Sequence, residues 1–139
     1  MGSTMKTNHY VASLVLLMLI DLGVSAQAAD RVRAGQWVGT TIVGGKTYPT
    51  SSCVSEGDAA RMNGDTKAVK AYLETIIPPE ICKLTDVRAD GHQVIYTASC
   101  SGGSVKTMKT VTTSYYGDRS EGTDSSGGKT EAKLVGACK

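Results

Sequence analysis

Residues 82–116 read CKLTDVRADGHQVIYTASCSGGSVKTMKTVTTSYY, and this stretch decides the fold class. Runs rich in valine, isoleucine, threonine and tyrosine alternate with short glycine-bearing breaks, the pattern of strands joined by tight turns. Cys82 to Arg88 predicts one strand, turned at Ala89-Asp90-Gly91. Gln93 to Cys100 predicts the next, turned at Ser101-Gly102-Gly103, and Val105 to Tyr116 a threonine-rich third. Lys129 to Cys138 predicts the last strand. Between them, Gly117 to Gly128 reads as a long loop or a loop around one short strand. Successive turns at short intervals favour an antiparallel meander over βαβ units.

Toward the N-terminus, residues 35–54 read GQWVGTTIVGGKTYPTSSCV. Trp37 to Val43 is rich in β-branched residues, Gly44-Gly45 is a two-residue turn signal, and Lys46 onward returns as a second strand. Pro49 cannot donate to a ladder, so it marks that return as an edge strand or a bulge. Ser55 to Pro79 then departs from strand pattern. Ser55 with Asp58 is a helix-start signal, Gly64 ends that turn, and Asp65 caps a second helix. Val69, Tyr72, Leu73 and Ile76 follow i, i+3, i+4, i+7, giving one apolar face, and Pro78-Pro79 ends the helix. The expected fold is therefore mainly β with a helical insertion packed on one face. Its twisted antiparallel meander sheet can curl into a half-barrel.

The core has little aromatic mass to draw on: no Phe, one Trp (Trp37) and six Tyr. Small domains short of core commonly use disulfides, and the chain has four cysteines, Cys53, Cys82, Cys100 and Cys138. Side chains alternate between the faces of a strand. Cys100 shares a face with Ala98, Tyr96 and Val94, Cys138 with Leu134 and Ala132, and Cys82 with Leu84. Four cysteines allow three pairings, which sequence does not distinguish. The favoured expectation is Cys53–Cys82 at the base of the helical excursion and Cys100–Cys138 tying the last strand to mid-sheet. Loops of this size each contribute ~3.5–4 kcal/mol in the chain-entropy account.

An oxidising compartment agrees with the first residues. Val11 to Ile20 is an apolar run of signal-peptide length after Lys6, and Ala26-Gln27-Ala28 fits a cleavage pattern. Residues 1–28 are thus expected to be a leader cut after Ala28, with Ala26 and Ala29 as neighbouring sites and Met5 as an alternative start. A membrane span needs roughly 20 apolar residues, and Asp21 interrupts this run. The remaining residues 29–139 form one domain by size. Charge is nearly balanced, net +2 over the chain, with no basic stripe of the kind nucleic-acid binding requires.

The ordered set of motifs resembles the bacterial envelope family catalogued as domain of unknown function 3617. The resemblance is carried by Gly35-Gln36-Trp37, by Cys53 followed by Val54-Ser55-Glu56-Gly57-Asp58-Ala59, and by Cys82-Lys83-Leu84-Thr85-Asp86. Gly91, Cys100-Ser101-Gly102, Tyr115-Tyr116-Gly117-Asp118, Glu121-Gly122-Thr123 and Gly136-Ala137-Cys138 complete it. It covers nearly all of residues 29–139. It implies a small exported envelope domain, periplasmic or secreted, and assigns no activity.

Candidate chemistry is sparse. Ser101-Gly102-Gly103 with Asp90 and His92 echoes a serine-hydrolase set, but a triad is recognised by geometry and Ser-Gly-Gly is an ordinary turn. The cysteine spacings are too wide for a structural zinc site. Asp118, Glu121 and Asp124 lack the alternating spacing of a calcium loop. No catalytic residue, metal ligand or cofactor is assigned. The sizeable aromatic surfaces are Trp37, Tyr48, Tyr96, Tyr115 and Tyr116, with Tyr72 on the helix, and these are the candidate contacts for a small apolar ligand or an envelope protein partner. Tyr115 and Tyr116 are adjacent, so only one of them can face the core of a regular strand. The leading expectation is a non-catalytic ligand- or partner-binding domain. The alternatives are a structural envelope protein, or an inhibitor of a secreted enzyme presenting Gly117–Gly128 as a rigid loop.

Overall fold

The computed structural model describes residues 30–139. The expected leader and its cleavage sites lie outside the described residues. The elements run β1 (Gly35–Val43), β2 (Lys46–Val54), α1 (Glu56–Met62), α2 (Thr66–Ile76), β3 (Cys82–Asp90), β4 (Gln93–Gly102), β5 (Val105–Tyr115), β6 (Arg119–Asp124) and β7 (Lys129–Gly136). The strands form one sheet in the order β2-β1-β7-β6-β5-β4-β3, and every pairing between them is antiparallel. Strands β3 to β7 are a meander, and the β1–β2 hairpin docks on the last strand of it. The sheet is not closed: β2 and β3 are its two edges.

Local sequence accounts for most of these elements. Gly44 and Gly45 both take positive φ (55° and 77°), the conformation a two-residue hairpin loop demands. Pro49 lies on β2, an edge strand, where its missing N–H costs least. Gly39 permits the close β1–β7 approach, since a Cβ there would overlap the Glu131 carbonyl. Ser55 caps α1 by accepting from the Asp58 N–H, and Asp65 caps α2 by accepting from the Ala68 N–H.

The helices lie on one face because of where they connect. They join β2 to β3, the two outermost strands, so the chain must cross the face of the sheet between them. Val69 and Leu73 of α2 and Met62 of α1 pack there against Val32, Trp37 and Val94. Full burial of a side chain such as Val69 or Leu73 contributes about 1.5–3 kcal/mol.

A bulge adds to this core. Register slips between Thr85 and Arg88 of β3, where Asp86 takes φ 51°. Aspartate tolerates that left-handed conformation better than most residues. The extra residue turns Val87, which strict alternation from Leu84 would aim outward, onto the core.

Of the two readings open for Gly117–Gly128, a long loop or a loop around one short strand, the second holds. Within Gly117–Gly128, residues Arg119–Asp124 form β6, paired on both sides by β5 and β7. Its polar composition hides a strand whose ladder is filled on both edges.

The expected cysteine pairing is overturned. The bonds are Cys53–Cys138 and Cys82–Cys100. Cys53 lies on β2 and Cys82 on β3, at opposite edges of the sheet. Strand β7 is three strands from β4, roughly 14 Å at ordinary spacing, beyond disulfide reach. Instead Cys82 faces Cys100 in the β3–β4 register. Cys138 lies beyond the end of β7 and passes β1 to reach Cys53, with 5.4 Å between their Cα atoms.

Arg31 closes the fold at the other end of the helices. It is only 3% exposed. Its Nη1 donates to the carbonyls of Met62 and Gly64, each at 2.9 Å, and its Nε to that of Gly91 at 2.6 Å. Asn63 completes the contact: its Oδ1 accepts from the N–H groups of Arg31 and Val32, and its Nδ2 donates to the Val32 carbonyl. One buried cation thus joins the N-terminal segment, the end of α1 and the β3–β4 turn.

Two outcomes follow. Peptide mapping of the unreduced protein returns Cys53–Cys138 and Cys82–Cys100. In the chain-entropy account, the sequence separations of 85 and 18 residues correspond to about 4.5 and about 3 kcal/mol. Replacing Cys53 and Cys138 with serine therefore lowers the urea midpoint more than replacing Cys82 and Cys100; a reversed order contradicts the assignment. Second, Arg31→Ala strands three carbonyls and costs about 2–4 kcal/mol, and Arg31→Lys does not restore it because an ammonium cannot reproduce the guanidinium fork. Thermal melting of both variants checks this.

Candidate functional site

Where the helices cross the sheet, they leave a cleft of about 210 Å³. Its sheet lining comes from β1 (Trp37), β2 (Ser52, Val54), β7 (Ala132), β6 (Ser120), β5 (Thr113, Tyr115) and β4 (Tyr96). Six neighbouring strands would span roughly 24 Å if flat. Their convergence on one small cleft shows that the sheet curls toward the helices. The roof is Met62 of α1 and Tyr72, Leu73 and Ile76 of α2. A second chamber of about 310 Å³ continues along the same face. It shares Tyr96, Thr113, Tyr115 and Ser120 with the first, and adds Asp124 and Thr130.

Three phenols give the cleft its polar character. Burial pushes the Tyr115 hydroxyl up to about 12, with Tyr96 adding to the rise. Burial raises Tyr96 and Tyr72 as well. All three stay protonated at neutral pH and can donate hydrogen bonds. At the far chamber, Asp124 is held below the usual carboxylate range, chiefly by the Ser126 hydroxyl. Its Oδ1 accepts from Ser126 N, Ser126 Oγ and Gly128 N, and Lys109 Nζ lies 3.7 Å from Oδ2.

The five aromatic residues singled out by sequence separate into two groups. Trp37, Tyr96 and Tyr115 meet in the cleft. Tyr48 lies toward the far end of the β1–β2 hairpin and is 50% exposed. Tyr116 is 44% exposed and lies outside the cleft, with its ring 6.5 Å from that of His92 and the Arg119 guanidinium 4.4 Å above it. Tyr115 is the last residue of β5, and Tyr116 lies just past the strand on the surface.

From sequence, the α2 stripe is an apolar face packed on the sheet, with Tyr72 also a candidate contact. In the structure Val69 and Leu73 are buried, Tyr72 is intermediate, and Ile76 is 57% exposed at the lip of the cleft. Ser120, within Gly117–Gly128, carried no signal that marked it as a cleft residue.

The decoy sets do not assemble. His92 precedes β4 and Ser101 is near its end, about 30 Å apart along an extended strand. Glu121 and Asp124 fall on opposite faces of β6 by alternation, and Asp118 precedes that strand. All four cysteine sulfurs are in disulfides. Among the described residues no group of three or more His, Cys, Asp or Glu could hold a metal ion.

Fold and cleft together define a small disulfide-linked domain: an open, curled antiparallel sheet with a helix pair laid into its hollow. Residues 32–138 match the family described as Protein of unknown function (DUF3617), and the chain belongs to that family. No curated protein and no solved structure matches it.

The tyrosine environment sets the alkaline stability. The folded state holds Tyr115 protonated to about 12, against about 10 in the unfolded chain. Between those values the folded state binds more protons, so stability falls as pH rises through the window. Tyr96 and Tyr72 act with the same sign. Tyr115→Phe removes about 2–3 kcal/mol of that alkaline loss. Urea unfolding at the two ends of the window measures it; an unchanged slope contradicts the buried phenol.

Proposed function

We propose that this protein is a non-catalytic binding module, exported to the periplasm or secreted after removal of residues 1–28, that takes a small apolar molecule in the cleft beneath α2. The observation that carries this reading is the cleft itself. Trp37, Tyr96 and Tyr115 converge there from three strands, and the exposed Ile76 forms its lip. Small-molecule sites are typically concave and mostly apolar, with a few polar groups that set orientation. Here the hydroxyls of Tyr72, Tyr96, Tyr115, Thr113 and Ser120 supply those groups. The two disulfides support the extracytoplasmic part of the reading, since such bonds persist in oxidising compartments.

The inhibitor alternative loses its main support. An inhibitory loop must project, whereas Arg119–Asp124 is paired on both sides within the sheet. A partner-docking role for Tyr116, beside His92 and Arg119, would use a surface outside the cleft.

Native mass spectrometry of the protein purified from its source, followed by extraction of any retained molecule, tests the binding reading. Ile76→Glu sets a charge at the exposed lip with little effect on folding. The expected result is at least a tenfold loss of affinity for an apolar fluorescent probe, at unchanged melting temperature. Unaltered probe binding in Ile76→Glu would falsify the placement of the site.

A further inference from the structure

We infer that the cleft selects uncharged amphiphiles, an alkyl or aryl chain ending in a hydroxyl, carbonyl or amide, and rejects carboxylates and phosphates. This rests on the binding reading above and adds the chemical class of the ligand.

The argument is electrostatic. The apolar chamber is walled by Val32, Trp37, Val54, Met62, Leu73 and Ile76. Its remaining lining side chains carry hydroxyls, apart from Ala132, and among the described residues no charged side chain lines it. A buried anion needs a partner cation or several donors aimed at it. The guanidinium of Arg31, near enough to Tyr115 for their charges to interact, is already committed to three main-chain carbonyls and does not line either chamber.

The polar chamber reinforces the choice. Its one carboxylate is Asp124, and no ammonium or guanidinium among the described residues lines that chamber. Lys109 reaches the opposite oxygen of Asp124, so the pair offers an anion no free cation. An anionic headgroup placed beside Asp124 finds no unpaired cation among the lining residues and a carboxylate already held by Ser126, Gly128 and Lys109. A hydroxyl, carbonyl or amide instead meets the neutral donors of Tyr96 and Tyr115, where the chambers join, and the hydroxyls of Thr113 and Ser120. Neutral donors orient a neutral acceptor without having to strip the hydration shell from an ion.

Trp37 provides the readout. It is the single tryptophan of the chain and lines the apolar chamber, so its fluorescence reports occupancy directly. The experiment titrates the intact, oxidised domain with decanol, decanamide and decanoate, each below its aggregation threshold. Decanol and decanamide are expected to saturate the signal, with decanoate at least tenfold weaker. Thr130→Lys, which adds a cation to the polar chamber, is expected to raise decanoate affinity at least fivefold and leave decanol unchanged. Decanoate binding as tightly as decanol overturns the selectivity while the binding site stands. A Thr130→Lys variant that folds and leaves decanoate unimproved overturns its electrostatic basis. Failure of all three probes to bind sinks the site and the selectivity together.

Discussion

A buried arginine sets the arrangement on which the rest of this molecule depends. Arg31 has no carboxylate within ion-pair distance among the described residues, and is satisfied instead by the carbonyls of Met62, Gly64 and Gly91. The end of α1 concentrates negative dipole where that cation sits. Asn63 lends its side-chain amide to the main chain of Val32, as a neighbouring strand would. Val32 in turn makes a parallel bridge to Gly117, and the Arg33 N–H donates to the Gly117 carbonyl. Three segments distant in sequence are thereby held at one end of the sheet, and the helices are fixed at that end over its hollow.

Disulfides hold the two margins of the sheet. Cys138 reaches past β1 to Cys53, and its bond binds the C-terminus to an edge strand that has a neighbour on one side only. Cys82–Cys100 secures the other edge strand to its one neighbour. Edge strands are exposed to unwanted pairing, and both carry devices against it: Pro49 in β2 and the Asp86 bulge in β3. With so little aromatic mass, the domain relies on tying its margins rather than on a thick core. The hollow beneath the helices is left incompletely filled, and that unfilled space is the cleft.

Much of the architecture was legible before any coordinates. The β1–β2 hairpin followed from Gly44-Gly45, the helix starts from Ser55 and Asp65, and the apolar stripe from Val69 to Ile76. These signals act within a few residues, so they survive without knowledge of the tertiary structure. Strand β6 was legible only as one of two alternatives, because Arg119, Ser120, Glu121 and Asp124 give it the composition of a loop. What makes it a strand is the presence of β5 and β7 on either side. The importance of Arg31 was hidden, since nothing near it in sequence announces that three carbonyls will converge on it.

The candidate site shows the same division. Its aromatic members Trp37, Tyr96 and Tyr115 could be named as a residue type scarce enough to matter, yet Tyr48 and Tyr116 looked equivalent until the curl of the sheet separated them. By itself, the sequence determined the secondary structure with local signals, the reliance on disulfides, and the membership in its family. The tertiary structure alone decided strand order, cysteine partners and which aromatic rings share a hollow. Those depend on contacts between residues far apart in the chain, whose energies no local pattern records.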